Sequence, residues 1–566
     1  MPTDDPSRSG LSFADWLFNY RKEWLRPDLI AGLTTAAVVI PKAMAYATIA
    51  GLPVQVGLYT AFVPMIIYAV VGTSRSLSVS TTTTLAILTA SELGRVVPNG
   101  DSSALFRACG MLTLLVGGVL VLASLLRLGF IANFISEPVL VGFKAGVGLV
   151  IVLDQVPKIL GIHFVKGSFL HNVVAIVKQI PDASLTTVAV GISIIAILIG
   201  FERFLPKAPA PLIAVAAGII GVRFLGLQMQ GVEVVGQIPQ GLPVLVPPAF
   251  SLAEELWPAA LGIALMSFTE TMAAGRAFAR SEEPPAKANR ELLATGLANA
   301  GGAFLGAMPG GGGTSQTAVN RHAGARTQLA ELVTAAVALA TMLFLAPLLA
   351  LMPQATLAAV VIVYSIGLIK PAEFRSILSI RRMEFTWALT AFAGVVALGT
   401  LKGIIVAIVL SLIGLGYQVA DPPVYVLGRK PGTNVFRPRS EEHPEDETFP
   451  GLVLFHLVGR LFFVNTANIG DKMRRLIGTE NPRVVVFDLS AVPDVEYTAL
   501  KVLTEVVNKF RLRGMSLWLV GLNPGVLQTI QRSSLGDVLG REAMHFNVEV
   551  AVAKYLAMPS ISEPTN

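Results

Sequence analysis

Charge is what this sequence has least of. Lys, Arg, Asp and Glu make up 14% of its 566 residues, where soluble domains average about 25%, so little of the chain can face water in the ordinary way. Cysteine is nearly absent: Cys109 stands alone, which excludes an intrachain disulfide, a CxxC metal site and a cysteine-ligated iron–sulfur cluster. The N-terminus lacks the basic stretch of a secretory signal and opens with Asp4 and Asp5. No small-residue cleavage site marks the first apolar stretch, which is therefore expected to stay as a membrane helix. Basic runs with interleaved aromatics are missing too, so the formal charge of +6 offers no nucleic-acid surface. Nothing suggests a catalytic nucleophile, a metal set or a nucleotide loop, so neither an enzyme nor a cofactor is expected.

What is abundant is apolar. Hydrophobic residues reach 53%, with mean hydropathy +0.66, and they fall into stretches of about 20 residues, enough to cross a hydrocarbon core of about 30 Å as helices. The predicted spans of the first half are 29–50, 57–71, a short 79–90, 104–126, 136–159, 185–204 and 211–225. Those of the second half are 259–279, 292–306, a short 314–319, 329–351, 357–369, 385–399 and 403–419. Each half has a stunted third member. Before them, residues 1–28 form an N-terminal segment whose stretch from Phe13 to Trp24, ending in Arg21, Lys22 and Arg26, reads as an interfacial helix.

Counted from a cytoplasmic N-terminus, the inner loops hold Arg75, Arg127, Arg203, Lys207, Arg276, Arg280, Lys287, Arg290, Arg321, Arg326, Arg375, Arg381 and Arg382. The outer turns near Pro53, within 307–313 and near Pro353 hold no Lys or Arg, which obeys the positive-inside rule. An even number of spans puts the C-terminus inside as well. The spans occupy 29–420; a polar linker, 421–450, then leads to a soluble domain at 451–560. There, predicted strands at 453–457, 484–489 and 517–520 alternate with helices at 466–477 and 498–510, the pattern of a small α/β domain.

The two short spans carry the chemistry. Broken helices expose backbone groups that lipid cannot satisfy, so they belong beside a polar cavity. The first opens with hydroxyls, Ser78-Val79-Ser80-Thr81-Thr82-Thr83-Thr84; the second with glycines, Pro309-Gly310-Gly311-Gly312-Gly313-Thr314-Ser315-Gln316-Thr317. Free N–H groups and the positive helix end favour an anion in both, and paired broken helices in two halves point to a transporter's central site. The alternative is that Gly and Thr merely allow tight helix packing. No Lys follows the glycine run, so it is not a P-loop. Lys42 and Glu270 lie inside apolar spans, where an ionisable group is a functional candidate by default. Glu270 suits a coupling proton; Lys42 suits a bound anion or a structural ion pair with Glu270. Lys144 is a weaker candidate that could simply reach an interface.

These segments resemble the sulfate permease (SulP) family of anion transporters, which includes prestin and related animal exchangers. The resemblance rests on Pro41-Lys42-Ala43-Met44-Ala45-Tyr46-Ala47, Gly57-Leu58-Tyr59 and Gly72-Thr73-Ser74-Arg75; on Glu270 with Ala277-Phe278-Ala279, Asn289-Arg290-Glu291-Leu292 and Gly296-Leu297-Ala298-Asn299; and on Thr314-Ser315-Gln316-Thr317-Ala318-Val319-Asn320. It implies an all-α membrane domain of about fourteen helices in two inverted seven-helix repeats, with core and gate subdomains. It also implies a C-terminal α/β STAS domain, carried by Asp488-Leu489-Ser490 and Glu496-Tyr497-Thr498, and a homodimer. Carried over by position, the substrate residues are Lys42, Tyr46, Thr81, Thr82, Gly313, Thr314, Ser315 and Gln316, with Glu270 for coupling. Lys42 stands where the family often has Gln, and Gln316 where many animal members have Arg, so the positive charge has moved across the site. Ala274 replaces the hydroxyl of sodium-coupled relatives, favouring a proton over sodium. Tyr497 replaces the phosphorylatable serine of soluble STAS regulators.

The expected function is secondary active transport, sulfate:proton symport by alternating access, in the cell membrane. Bicarbonate or dicarboxylate transport, or anion exchange, is the alternative. A nucleobase permease and a membrane-tethered STAS regulator are weaker readings.

Overall fold

The computed structural model describes residues 14–558 apart from 19, 99, 134–135, 165–166, 168, 206–207, 239, 244, 281–282, 284 and 478–481. Phe13, Lys207 and the end of the C-terminal domain at 559–560 thus lie outside the described residues. The chain divides into two compact units, 1–412 and 413–566.

The first unit is helical. Its helices run Leu25–Ile49, the pair Gln55–Thr60 and Val63–Val71, a short Thr83–Val96, Ser102–Leu125, Glu137–Leu160, Leu185–Phe204 and Ala210–Leu225. The second set runs Ala253–Ala277, Ala288–Ala303, a short Thr314–His322, Leu329–Ala340 with its continuation to Leu349, Gln354–Ile366, Arg382–Leu398 and Thr400–Ala420, the last of which runs past the division at 412. Seven positions thus follow seven, each set with a truncated third member. Among the described residues, six helices are long and apolar enough to cross a bilayer on length and composition alone. Apolar solvent gives such helices no hydrophobic reason to associate, so close backbone approach must do it. At Gly142 an added Cβ would lie 1.9 Å from the Ala388 carbonyl oxygen, so helices Glu137–Leu160 and Arg382–Leu398 meet backbone to backbone.

The two truncations meet each other. Strand β1 (Val79–Ser80), just before helix Thr83–Val96, pairs antiparallel with β2 (Gly311–Gly312), just before helix Thr314–His322; Val79 faces Gly312 and Ser80 faces Gly311. Extended backbone inside a membrane domain needs hydrogen-bond partners, and here each interruption supplies the other's. Antiparallel pairing of equivalent segments fits inverted repeats.

The second unit holds a six-stranded sheet of order β4-β3-β5-β6-β7-β8. Strands β3 (Val424–Arg429) and β4 (Phe436–Pro438) form an antiparallel edge, while β5 (Leu452–Val458), β6 (Val484–Ala491), β7 (Ser516–Val520) and β8 (Met544–His545) run parallel. The near-continuous apolar runs of β5 and β6 suit strands buried on both faces. Helices Thr466–Ile477 and Tyr497–Leu512 help cover one face over Phe455, Phe487 and Leu519. Helix Val548–Leu556 covers the other over Leu454, Val486 and Trp518. The stretch expected to be a linker, 421–450, is instead part of this sheet: β3 pairs with β5, and Arg437 of β4 is held by Asp446 at 2.8 Å. Strand β4 is three residues long and carries Arg and Pro, and β3 begins directly after Asp421-Pro422-Pro423, a run that reads as a linker.

Candidate functional site

The two interrupted helices begin differently. Thr82 caps the first: its Oγ1 accepts from Leu85 N at 3.3 Å and donates to Glu270 Oε2 at 2.7 Å. That hydroxyl is fully used, so Thr82 joins the tip to the carboxylate and has no proton left for an anion. Its neighbour Thr81 is buried with an Oγ1 that has no hydrogen-bond partner. Gly313 caps the second helix without any side-chain bond, and its own N–H goes to Ser78 O at 3.1 Å. The first-turn N–H groups of an α-helix have no intrahelical acceptor. Those of Thr314 and Ser315 therefore point out of an uncapped tip, and both residues are exposed where the flanking Gly313 and Gln316 are buried.

Lys42 reaches this second tip. Its Nζ lies 3.3 Å from Ser315 Oγ and 3.7 Å from the centroid of the Tyr364 ring. The carboxylate acting on it is Glu202, which also faces the Tyr364 hydroxyl. Lys144 is the cation acting on Glu270. Among the described residues the structural Lys42–Glu270 pair weighed from the sequence is not formed: Lys42 contacts Ser315 and Tyr364, and Glu270 accepts from Thr82. Tyr46, buried, is turned toward Thr83 and Glu270.

The amide of Gln316 is engaged within the protein. Its Nε2 donates to Ser80 Oγ at 2.8 Å and Ser78 O at 3.2 Å, and the side chain is 2% exposed. The amide therefore holds β1 against the second half-helix, because an extended strand in this environment leaves acceptors that something must bond.

Several supporting residues have roles that the sequence does not assign. Asn299 both accepts from Gly310 N at 2.9 Å and donates to Gly310 O at 3.0 Å. Ser267 donates to the same carbonyl at 2.7 Å, and Thr271 accepts from Gly312 N at 2.8 Å. Ser267 and Thr271 flank Glu270 on one helix, so the turn that braces the glycine strand also aims the carboxylate. The glycines are needed there, since an added Cβ on Gly312 would lie 2.8 Å from Thr271 Cα. Behind the tips, the buried Glu331 accepts from Ser78 Oγ and Asn320 Nδ2, each at 2.9 Å. Buried Glu291 accepts from Tyr68 Oη at 2.6 Å and from Thr73. The sequence signal for these was a carboxylate or amide inside an apolar span, which marks a polar neighbour without saying which.

The sulfate permease family model matches residues 25–391, and the STAS domain model matches 443–551. A Mycobacterium tuberculosis protein named "Probable sulfate transporter" is 34% identical over 541 residues, covering 95% of this chain and 96% of the relative. Sulfate transporter 4.1, chloroplastic, from Arabidopsis thaliana is 31% identical over 559 residues, covering 95% and 81%. Among solved structures, the murine solute carrier 26 family member A9 anion transporter in the inward-facing state shares the fold, with TM-score 0.89 at 20% identity over 96% of this chain and 93% of that one. The transmembrane domain of the cyanobacterial bicarbonate transporter BicA matches with TM-score 0.59 at 24% identity, over 69% and 98%. A helical unit built on two interrupted helices and an α/β unit with a STAS match thus make this chain a member of the sulfate permease family, a membrane transport protein rather than an enzyme.

Proposed function

We propose that the chain moves sulfate across the cell membrane together with protons, by alternating access around the two half-helix tips, with both termini cytoplasmic and the protein acting as a homodimer. The observation that carries this reading is the pairing of β1 with β2, which brings two helix amino ends to one place. Such ends attract negative charge through free N–H groups and the helix dipole. The relatives named as sulfate transporters support sulfate as the first substrate.

The anion in this reading sits against the second tip, bonded by the Thr314 and Ser315 N–H groups and hydroxyls and balanced by Lys42. Thr81 offers a further donor from the opposite tip. Coupling enters through Glu270. While ionised, it accepts a charge-assisted hydrogen bond from Thr82, which is stronger than a neutral one. A proton on Glu270 weakens that bond and loosens the cap of the first half-helix, so proton and anion share one structural element. Lys144 and Tyr364 lie on helices other than those carrying the tips, and movement of the tips past them exchanges the partners of Glu270 and Lys42.

The test is uptake into proteoliposomes of labelled sulfate, bicarbonate and a dicarboxylate, with and without an imposed pH gradient. Sulfate accumulation that follows an inward proton gradient is expected. Uptake of bicarbonate or dicarboxylate alone, or sulfate uptake that only an opposing anion drives, overturns the substrate or the symport reading respectively.

A further inference from the structure

Between helices Thr466–Ile477 and Tyr497–Leu512 of the C-terminal unit lies a cavity of about 520 Å³, floored by Leu457 and Phe487. This volume falls within the range of small-molecule sites, which are mostly apolar with a few placed polar groups. Both helices follow parallel strands, β5 and β6, so they run in the same direction and their C-terminal ends lie at the same end of the cavity. That end is basic: Arg474 stands in the last turn of the first helix, Lys509 and Arg513 at the end of the second, all lining the space. Arg474 is held by Asp471, whereas Lys509 and Arg513 have no side-chain partner among the described residues. The lining carboxylate, Glu505, stands one turn before Lys509. At the opposite end the lining includes Leu461, Ala467 and Ala499.

Gly470 adds an independent sign. It sits mid-helix, where glycine lowers stability relative to alanine, and an added Cβ there would meet open space. Packing therefore does not demand a glycine, and its missing side chain leaves the cavity it lines open at that point. Cations at a helix C-terminus also complement the dipole, but that accounts neither for the cavity beside them nor for the glycine.

We propose that this cavity binds a single-chain anionic amphiphile, a free long-chain carboxylate. Its hydrocarbon tail lies along the channel past Gly470, and its head group sits between Lys509 and Arg513.

The full-length protein in nanodiscs is photolabelled with a diazirine analogue of laurate, and the labelled peptides are mapped by mass spectrometry. The expected labels fall on helices Thr466–Ile477 and Tyr497–Leu512, are displaced by unlabelled laurate, and resist dodecanol at tenfold higher concentration. Gly470→Leu, which fills the channel, is expected to cut labelling at least tenfold, and Lys509→Glu with Arg513→Glu at least threefold. Melting followed by limited proteolysis of the C-terminal unit checks that each variant folds; should Gly470→Leu not fold, the exposed charge-reversal pair decides. Absence of label from both helices, equal displacement by dodecanol, or labelling by a diazirine phospholipid that laurate does not displace would each overturn the proposal.

Discussion

The two half-helices share a position in the fold and, in the proposed mechanism, divide the work. The first begins on a threonine whose hydroxyl is committed at both ends, to Leu85 N and to Glu270. The second begins on a glycine with no side-chain cap and exposes Thr314 and Ser315 beside Lys42. On this proposal the capped tip transmits the state of its partner, and the uncapped tip keeps its N–H groups for a ligand. The same glycine run that leaves the second tip open must be braced from outside, which Asn299, Ser267 and Thr271 do.

Mutations that act on one tip and not the other sharpen this contrast. The largest effect is expected from Glu270→Gln: accumulation driven by a pH gradient should fall at least tenfold, about 1.4 kcal/mol or more of lost coupling, while sulfate-for-sulfate exchange in proteoliposomes persists. Full proton-driven uptake by this variant would remove Glu270 from the coupling role. Next comes Lys42→Met, which keeps the volume but not the charge. It should raise the KM for sulfate about tenfold with the pH dependence retained, and Lys42→Arg should recover part of the loss. If Lys42→Met changes pH dependence instead of KM, the division between the tips is wrong.

Asn299→Ala removes the side chain that both donates to and accepts from Gly310. Ser267 still serves the carbonyl, but the buried N–H is orphaned, at about 1–3 kcal/mol. A lower melting temperature of the purified protein is expected, with substrate affinity falling in parallel. The smallest effect belongs to Ser315→Ala, because Lys42 keeps its contact with Tyr364 and the Ser315 N–H remains. A KM change below about threefold, under ~1 kcal/mol, is expected, and a larger one would make the hydroxyl a principal contact.

Much of the architecture was legible in the sequence because membrane helices are written in composition. Seven-plus-seven spans, the two stunted ones, and the β5-to-β7 strands followed from apolar runs and their interruptions. Lys42 and Glu270 stood out because charge inside such runs is rare. Other features depend on residues far apart in the chain meeting in space. Gln316 lies in the motif that suggests a ligand contact, yet its amide is taken by Ser80, 236 residues away. Glu331 and Asn299 are buried polar groups on membrane helices, and nothing local distinguishes a brace from a ligand. The edge strand β4 escapes a reading of the sequence because sheet edges tolerate the Pro and charged residues that elsewhere mark a linker, and β3 beside it because Asp421-Pro422-Pro423 precedes it.

The most direct measurement is labelling of a single cysteine placed on the open tip, Thr314→Cys, in a Cys109→Ala background that removes the native buried thiol. Maleimide modification in proteoliposomes should be slowed by sulfate in proportion to its occupancy and left unchanged by a neutral solute. Modification at the same rate with and without saturating anion, for every anion tried, would contradict the claim that the second half-helix tip holds the transported ion.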